Sequence, residues 1–173
     1  MVFAHIVSPH PPFVFDMQGN PIQPERSYSI GDGDDYGGDW EEYRRGYAGQ
    51  VQFVNRMLEE TVDAILRKSS GPPIIIIQGD HGPGAFLDLS TPEQTCLLER
   101  SSIFNAYYLP GVNTSVLTPD MTPVNSFRIV LNVYFNANLG LLPDKTYFTS
   151  HRLTRQVIDI TDQRASKKNC PQP

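Results

Sequence analysis

Between Tyr47 and Lys68, apolar residues recur at Val51, Val54, Leu58, Val62 and Ile65, with Phe53, Met57 and Leu66 flanking them. Spacings of three and four put these side chains on one face of a helix, and the pattern predicts an amphipathic helix over 47–68. After Ser-Ser-Gly-Pro-Pro the pattern changes to the unbroken run Ile74 to Ile77. Such a run predicts a strand covered on both faces, as in a parallel sheet packed between helices. Val2 to Val7 is rich in β-branched and aromatic residues and predicts a first strand. It stops at Ser-Pro-His-Pro-Pro-Phe, where Pro9, Pro11 and Pro12 remove backbone donors. Strand, long helix and strand together predict a right-handed crossover unit.

Further along, 103–111 predicts a strand that ends at Pro110 and Gly111. Thr122 caps a helix with Pro123 at its first position, and Val124, Phe127, Val130, Leu131 and Tyr134 supply its buried face until Asn-Ala-Asn-Leu-Gly ends it. Residues 145–150 and 154–160 predict late strands. Between Asp16 and Gly46 the composition turns to Gly, Pro, Asp, Asn and Tyr, which predicts a long surface excursion. No internal repeat is visible. The expected architecture is α/β, a mostly parallel sheet sandwiched by helices, forming one domain over 1–162 with a loose polar tail at 163–173.

Charge narrows the partners. The 14 Lys and Arg are scattered among 19 Asp and Glu, for a net charge of -5, so no basic footprint for nucleic acid exists. No run is long and apolar enough for a transmembrane helix, and the N-terminus lacks the pattern of a secretory leader, which predicts a soluble chain. An opening that reads as a core strand from its second residue predicts a portion cut from a larger protein. Cys96 and Cys170 stand far apart, the second in a polar segment, and this argues against a disulfide framework. Two cysteines alone cannot build a metal-thiolate site either.

Candidate chemistry gathers where apolar runs end. Asp80 and His81 follow the isoleucine run on a turn opened by Gly79 and Gly82. An adjacent carboxylate and imidazole suit a divalent cation that takes mixed oxygen and nitrogen ligands, such as Mn²⁺ or Zn²⁺. The alternative is a turn in which Asp80 caps backbone amides and His81 is merely exposed. His10, held among prolines after the first predicted strand, is a pre-positioned donor for an anionic oxygen, or else a loop histidine without a ligand. If the two strands are parallel, His10 and Asp80 reach the same sheet edge. His5 reads as an interior strand residue. Asp32 to Glu42 resembles a calcium loop but has Tyr36 and Tyr43 where oxygen ligands belong, so it reads as a solvated acidic loop. Asn113-Thr114-Ser115 is a formal glycosylation acceptor of the kind that arises by chance.

The order of FAHIVSPHPPFVFD, YAGQVQFVNRMLEETVDAIL, PPIIIIQGDHGPG, IFNAYYLPG and TPVNSFRIVLNVYF resembles the carboxy-terminal part of the sulfatase-like branch of the alkaline phosphatase superfamily. It is most similar to the membrane-anchored phosphoglycerol and phosphoethanolamine transferases, lipoteichoic acid synthases among them, over roughly Val2 to Ser150. The resemblance implies transfer or hydrolysis of a phosphate or sulfate ester, with Asp80 and His81 as ligands of Mn²⁺ or Zn²⁺ (Mg²⁺ or Ca²⁺ being further options) and His10 contacting the substrate's anionic group. It also implies an extracytoplasmic domain of a membrane protein. The family's hydroxyl or thiol nucleophile and the acid preceding it have no counterpart here, and Asn55 stands where many relatives carry Asp. The expectation is a metal-ligand-bearing portion that, alone, binds its cation weakly or not at all and is inactive. The alternative is a non-catalytic module that binds an anionic glycan or lipid head group.

Overall fold

The computed structural model describes residues 1–23, 27–29, 31, 36–150 and 156–171. Elements run in the order α1 (Trp40–Lys68), β1 (Ile75–Gln78), α2 (Leu97–Ser101), β2 (Asn105–Tyr108), α3 (Ser126–Phe135), β3 (Tyr147–Thr149) and β4 (Val157–Asp159), with short 3₁₀ turns between them. The chain divides into two compact units, one of residues 1–69 and 83–86, the other of 70–82 and 87–173.

In the first unit, α1 starts at Trp40, earlier than the apolar period alone predicts. Asp39 caps it by accepting from Glu42 N, and Glu41 and Glu42 in the first turn and Arg67 and Lys68 in the last complement the helix dipole. The N-terminal half of α1 carries aromatics rather than aliphatics. Tyr43 and Tyr47 meet Phe13 edge-on at centroid distances of 5.0 and 6.5 Å. Gly46 permits this approach, because a Cβ there would lie 2.3 Å from the Phe13 ring. Gln50, 1% exposed, completes this core by accepting from Val14 N and Phe15 N.

Among the described residues, the second unit holds two separate two-stranded sheets, both antiparallel. In the first, Ile75, Ile76, Ile77 and Gln78 face Tyr108, Tyr107, Ala106 and Asn105. In the second, Phe148 faces Ile158. Leu97, Phe148 and Ile160 form the buried core, with Leu87 and Ile158 against it. A disulfide joins Cys96 to Cys170.

These sheets overturn the expected mostly parallel sheet sandwiched by helices. Val2 to Val7 forms no strand and is exposed, His5 included, so the expected crossover through α1 lacks its first strand there. The isoleucine run is a strand, but β1 is only half-buried and its partner runs the opposite way. A continuous apolar run records burial, not the direction of its neighbour, and that is why the inference failed. The cysteines also correct the sequence reading, since they are bonded. The tail is tied down as far as it is described: Ser166 O accepts from Leu98 N, and Asn169 Nδ2 donates to Glu93 O. Asp32 and Asp34 of the acidic loop, and the start of the 154–160 segment, lie outside the described residues.

Across the β3–β4 hairpin, Lys145 Nζ meets Asp159 Oδ2 at 2.6 Å, and Thr161 donates to Asp159 Oδ1 through both its hydroxyl and its N–H. Lys145, then these Thr161 bonds, hold the carboxyl at about 2. Lys145 is shifted upward by the same contact. A depressed carboxylate stabilises the fold above its unfolded value of about 3.9 and ceases to do so as pH falls through its folded value. Denaturant melts at stepped pH should therefore show stability dropping between roughly pH 4 and 2. Asp159→Asn should flatten that window, and an unchanged slope in the variant would place the acid sensitivity elsewhere.

Candidate functional site

The turn after β1 is built by hydrogen bonds to its neighbours in the second unit. Gly79 N donates to Phe104 O at 2.8 Å and Gly82 N to Arg100 O at 2.8 Å, so both ends of the Asp80–His81 dipeptide are fixed. Gly82 is buried, and a Cβ on it would lie 2.0 Å from Glu99 O and 2.5 Å from Ser102 O. Only glycine fits between the turn and the carbonyl end of α2. Gly82 thus serves a close approach of the turn to α2.

Upstream, the end of β1 is locked by a polar network. Gln78 Nε2 donates to Ser126 Oγ at 3.3 Å, the Tyr107 and Ser126 hydroxyls are hydrogen-bonded to each other at 2.5 Å, and Asn105 Nδ2 donates to Met121 O at 3.2 Å. Ser126 is fully buried, so these bonds satisfy groups that would otherwise be costly in the interior. The network ties β1, β2 and the N-terminus of α3 into one frame. Gln78, Asn105 and Ser126 were not singled out from sequence. Their signal was a polar residue at each end or start of an apolar element.

On this frame, His81 Nδ1 lies 2.9 Å from Gly82 O, an acceptor only, so Nδ1 carries the proton and Nε2 presents its lone pair. Nε2 lies 3.6 Å from Asp80 Oδ2. Two ligands of one tetrahedral ion, each about 2.1 Å from it, stand roughly 3.4 Å apart, so the pair fits one divalent cation. The carbonyl on Nδ1 is the outer contact that such a histidine ligand ordinarily has. Asp80 is 87% exposed and His81 38%, which leaves the pair open to solvent. Asp80 Oδ1 also accepts from His81 N, as the capping alternative expects, while Oδ2 stays turned to the imidazole. Among the described residues, no group of three or more His, Cys, Asp or Glu could hold a metal ion. Asp80 and His81 supply two donors side by side.

His10 belongs to the first unit, while Asp80 and His81 belong to the second. The sequence expectation that His10 and Asp80 share one sheet edge fails, because His10 lies in a turn outside any sheet. Both Ser8–Pro9 and Pro11–Pro12 are cis. His10 N donates to Val7 O at 3.0 Å and its Nδ1 is bonded to Pro11 O. Its own carbonyl accepts from Gln50 Nε2 at 3.4 Å. With Nδ1 engaged on a backbone acceptor, Nε2 is the ring atom left for another group. No known protein family, no characterised protein and no solved structure matches the chain.

Proposed function

We propose that the chain is the metal-ligand-bearing portion of a sulfatase-like phosphoryl or sulfuryl transferase or hydrolase. The observation that supports this most directly is the Asp80–His81 turn, with one imidazole nitrogen anchored on Gly82 O and the other 3.6 Å from a carboxylate oxygen. Mn²⁺ or Zn²⁺ held there would supply charge neutralisation for a phosphate or sulfate ester. Asp80 and His81 orient that ion, and Gly82 keeps the turn against α2. The disulfide supports an oxidising, extracytoplasmic setting, because cytosolic thiols are kept reduced. No helix among the described residues is long and apolar enough to cross a membrane.

Four-ligand structural zinc sites gain about 10–16 kcal/mol, so a pair of ligands should gain roughly half, or dissociation constants on the order of 10⁻⁴ to 10⁻⁶ M. Calorimetric titration with Zn²⁺ and Mn²⁺ should show such binding, lost in Asp80→Ala and in His81→Ala. A chromogenic phosphodiester and a sulfate ester should show no turnover. Absence of binding at millimolar metal, or binding untouched by both substitutions, would refute the site. Metal-dependent turnover lost in Asp80→Ala would show a complete enzyme. The second reading, a non-catalytic module for an anionic glycan or lipid head group, is favoured by the two-donor count among the described residues. It predicts head-group binding that survives chelation.

A further inference from the structure

We infer that α3 and the loop after it form a face that inserts shallowly into a phospholipid bilayer surface. The buried side of α3 carries Ser126, Ile129 and Val130. Along another side Phe127, Leu131 and Phe135 follow one another at spacings of four, so they line up on one face. Phe127 is 61% exposed and Phe135 66%, and in the following loop Leu141 is 61% and Leu142 48% exposed. Contiguous apolar exposure of this kind marks an interaction surface.

Three further observations choose the occupant. From Met121 to Pro143 the only charged residue is Arg128, in a chain with 19 acids, so no carboxylate on this segment opposes lipid phosphates. Part of the loop's backbone is already paired by α3 and the turn before it. Asn132 pairs with both N–H and C=O of Leu139, Asn125 does the same for Leu142, and Arg128 Nη1 donates to Gly140 O. A loop that enters a water-poor layer needs this, because unpaired peptide groups are costly there. Finally, α3 has 10 residues, about 15 Å of length. A face of that length and about 10 Å of width, even doubled by the loop, falls well short of the ~800 Å² per partner of a stable dimer. It is equally too short to span a bilayer, for which about 20 residues are needed. Shallow burial of an apolar face is how interfacial helices bind.

This inference does not rest on the metal reading, and its test is run in EDTA so that the two fail separately. The intact oxidised chain should float with phosphatidylcholine vesicles, with little change on adding salt. The double variant Phe127→Glu, Phe135→Glu should lower the partition coefficient at least about ten-fold. Phe135→Trp should keep binding and shift its emission to the blue when vesicles are added, which provides a readout that does not depend on the charged variant folding. Failure of the folded chain to float, unchanged partition in the double variant, or no spectral shift would each overturn the inference. A dimer seen by sedimentation velocity and abolished by the double variant would overturn it in favour of a second copy.

Discussion

Reduction of the Cys96–Cys170 disulfide should lower stability by about 4 kcal/mol, the loss expected when a cross-link over this many residues no longer restricts the unfolded chain. The two cysteines are 74 positions apart. Long loops lose the most closure entropy, and the native bonds around the bridge, Leu98 N to Ser166 O and Asn169 Nδ2 to Glu93 O, do not act on the unfolded state in the same way. Urea melts with and without reductant measure the difference. Cys170→Ser should reproduce the loss and be indifferent to reductant. A shift below about 1 kcal/mol on reduction would mean that the bridge barely restricts the unfolded ensemble.

Replacing Gln50 by Leu should cost about 2–5 kcal/mol and disturb the His10 loop. One amide side chain serves three backbone groups: it accepts from Val14 N and Phe15 N and donates to His10 O. Leucine fits the volume but leaves these groups unpaired in a core where Gln50 is 1% exposed, at about 1–3 kcal/mol for each group that stays dry. Hydrogen exchange at Val14 and Phe15 should rise by at least the factor that the stability loss implies, and His10 ring resonances should shift. Gln50→Glu, which keeps the acceptor, should retain the protection of Val14. Protection of Val14 and Phe15 that survives Gln50→Leu would show that the loop is held by something else.

The sequence was legible where local chemistry decides structure. The period from Val51 to Ile65 gave α1, and Thr122 with Pro123 marked the 3₁₀ turn that leads into α3, where Thr122 Oγ1 accepts from Val124 N. Asp80 and His81 were visible because a Gly-flanked acid and imidazole after an apolar run is an unusual combination. What was not legible depends on distant partners. Val2 to Val7 has strand composition, but composition cannot supply a neighbouring strand. The direction of β1 and the pairing of Cys96 with Cys170 are likewise set across 27 or more residues, by proximity that no local pattern records. Gln50 could have been found: Tyr43, Tyr47, Gln50 and Val54 keep the spacing of three and four, so the stripe passes through a polar residue that needs a partner inside.

The bridge between Cys96 and Cys170 also closes a covalent ring. α2, β2, α3, β3 and β4 all lie within it, whereas β1 and the Asp80–His81 turn lie outside and reach it through β2, Arg100 and Phe104. A protease that cuts once anywhere between these cysteines opens the ring without releasing a fragment. The nicked molecule stays one covalently joined piece until a reductant is added, and a cut beyond β2 leaves Arg100 and Phe104, on which the turn is fixed, joined to it through the main chain.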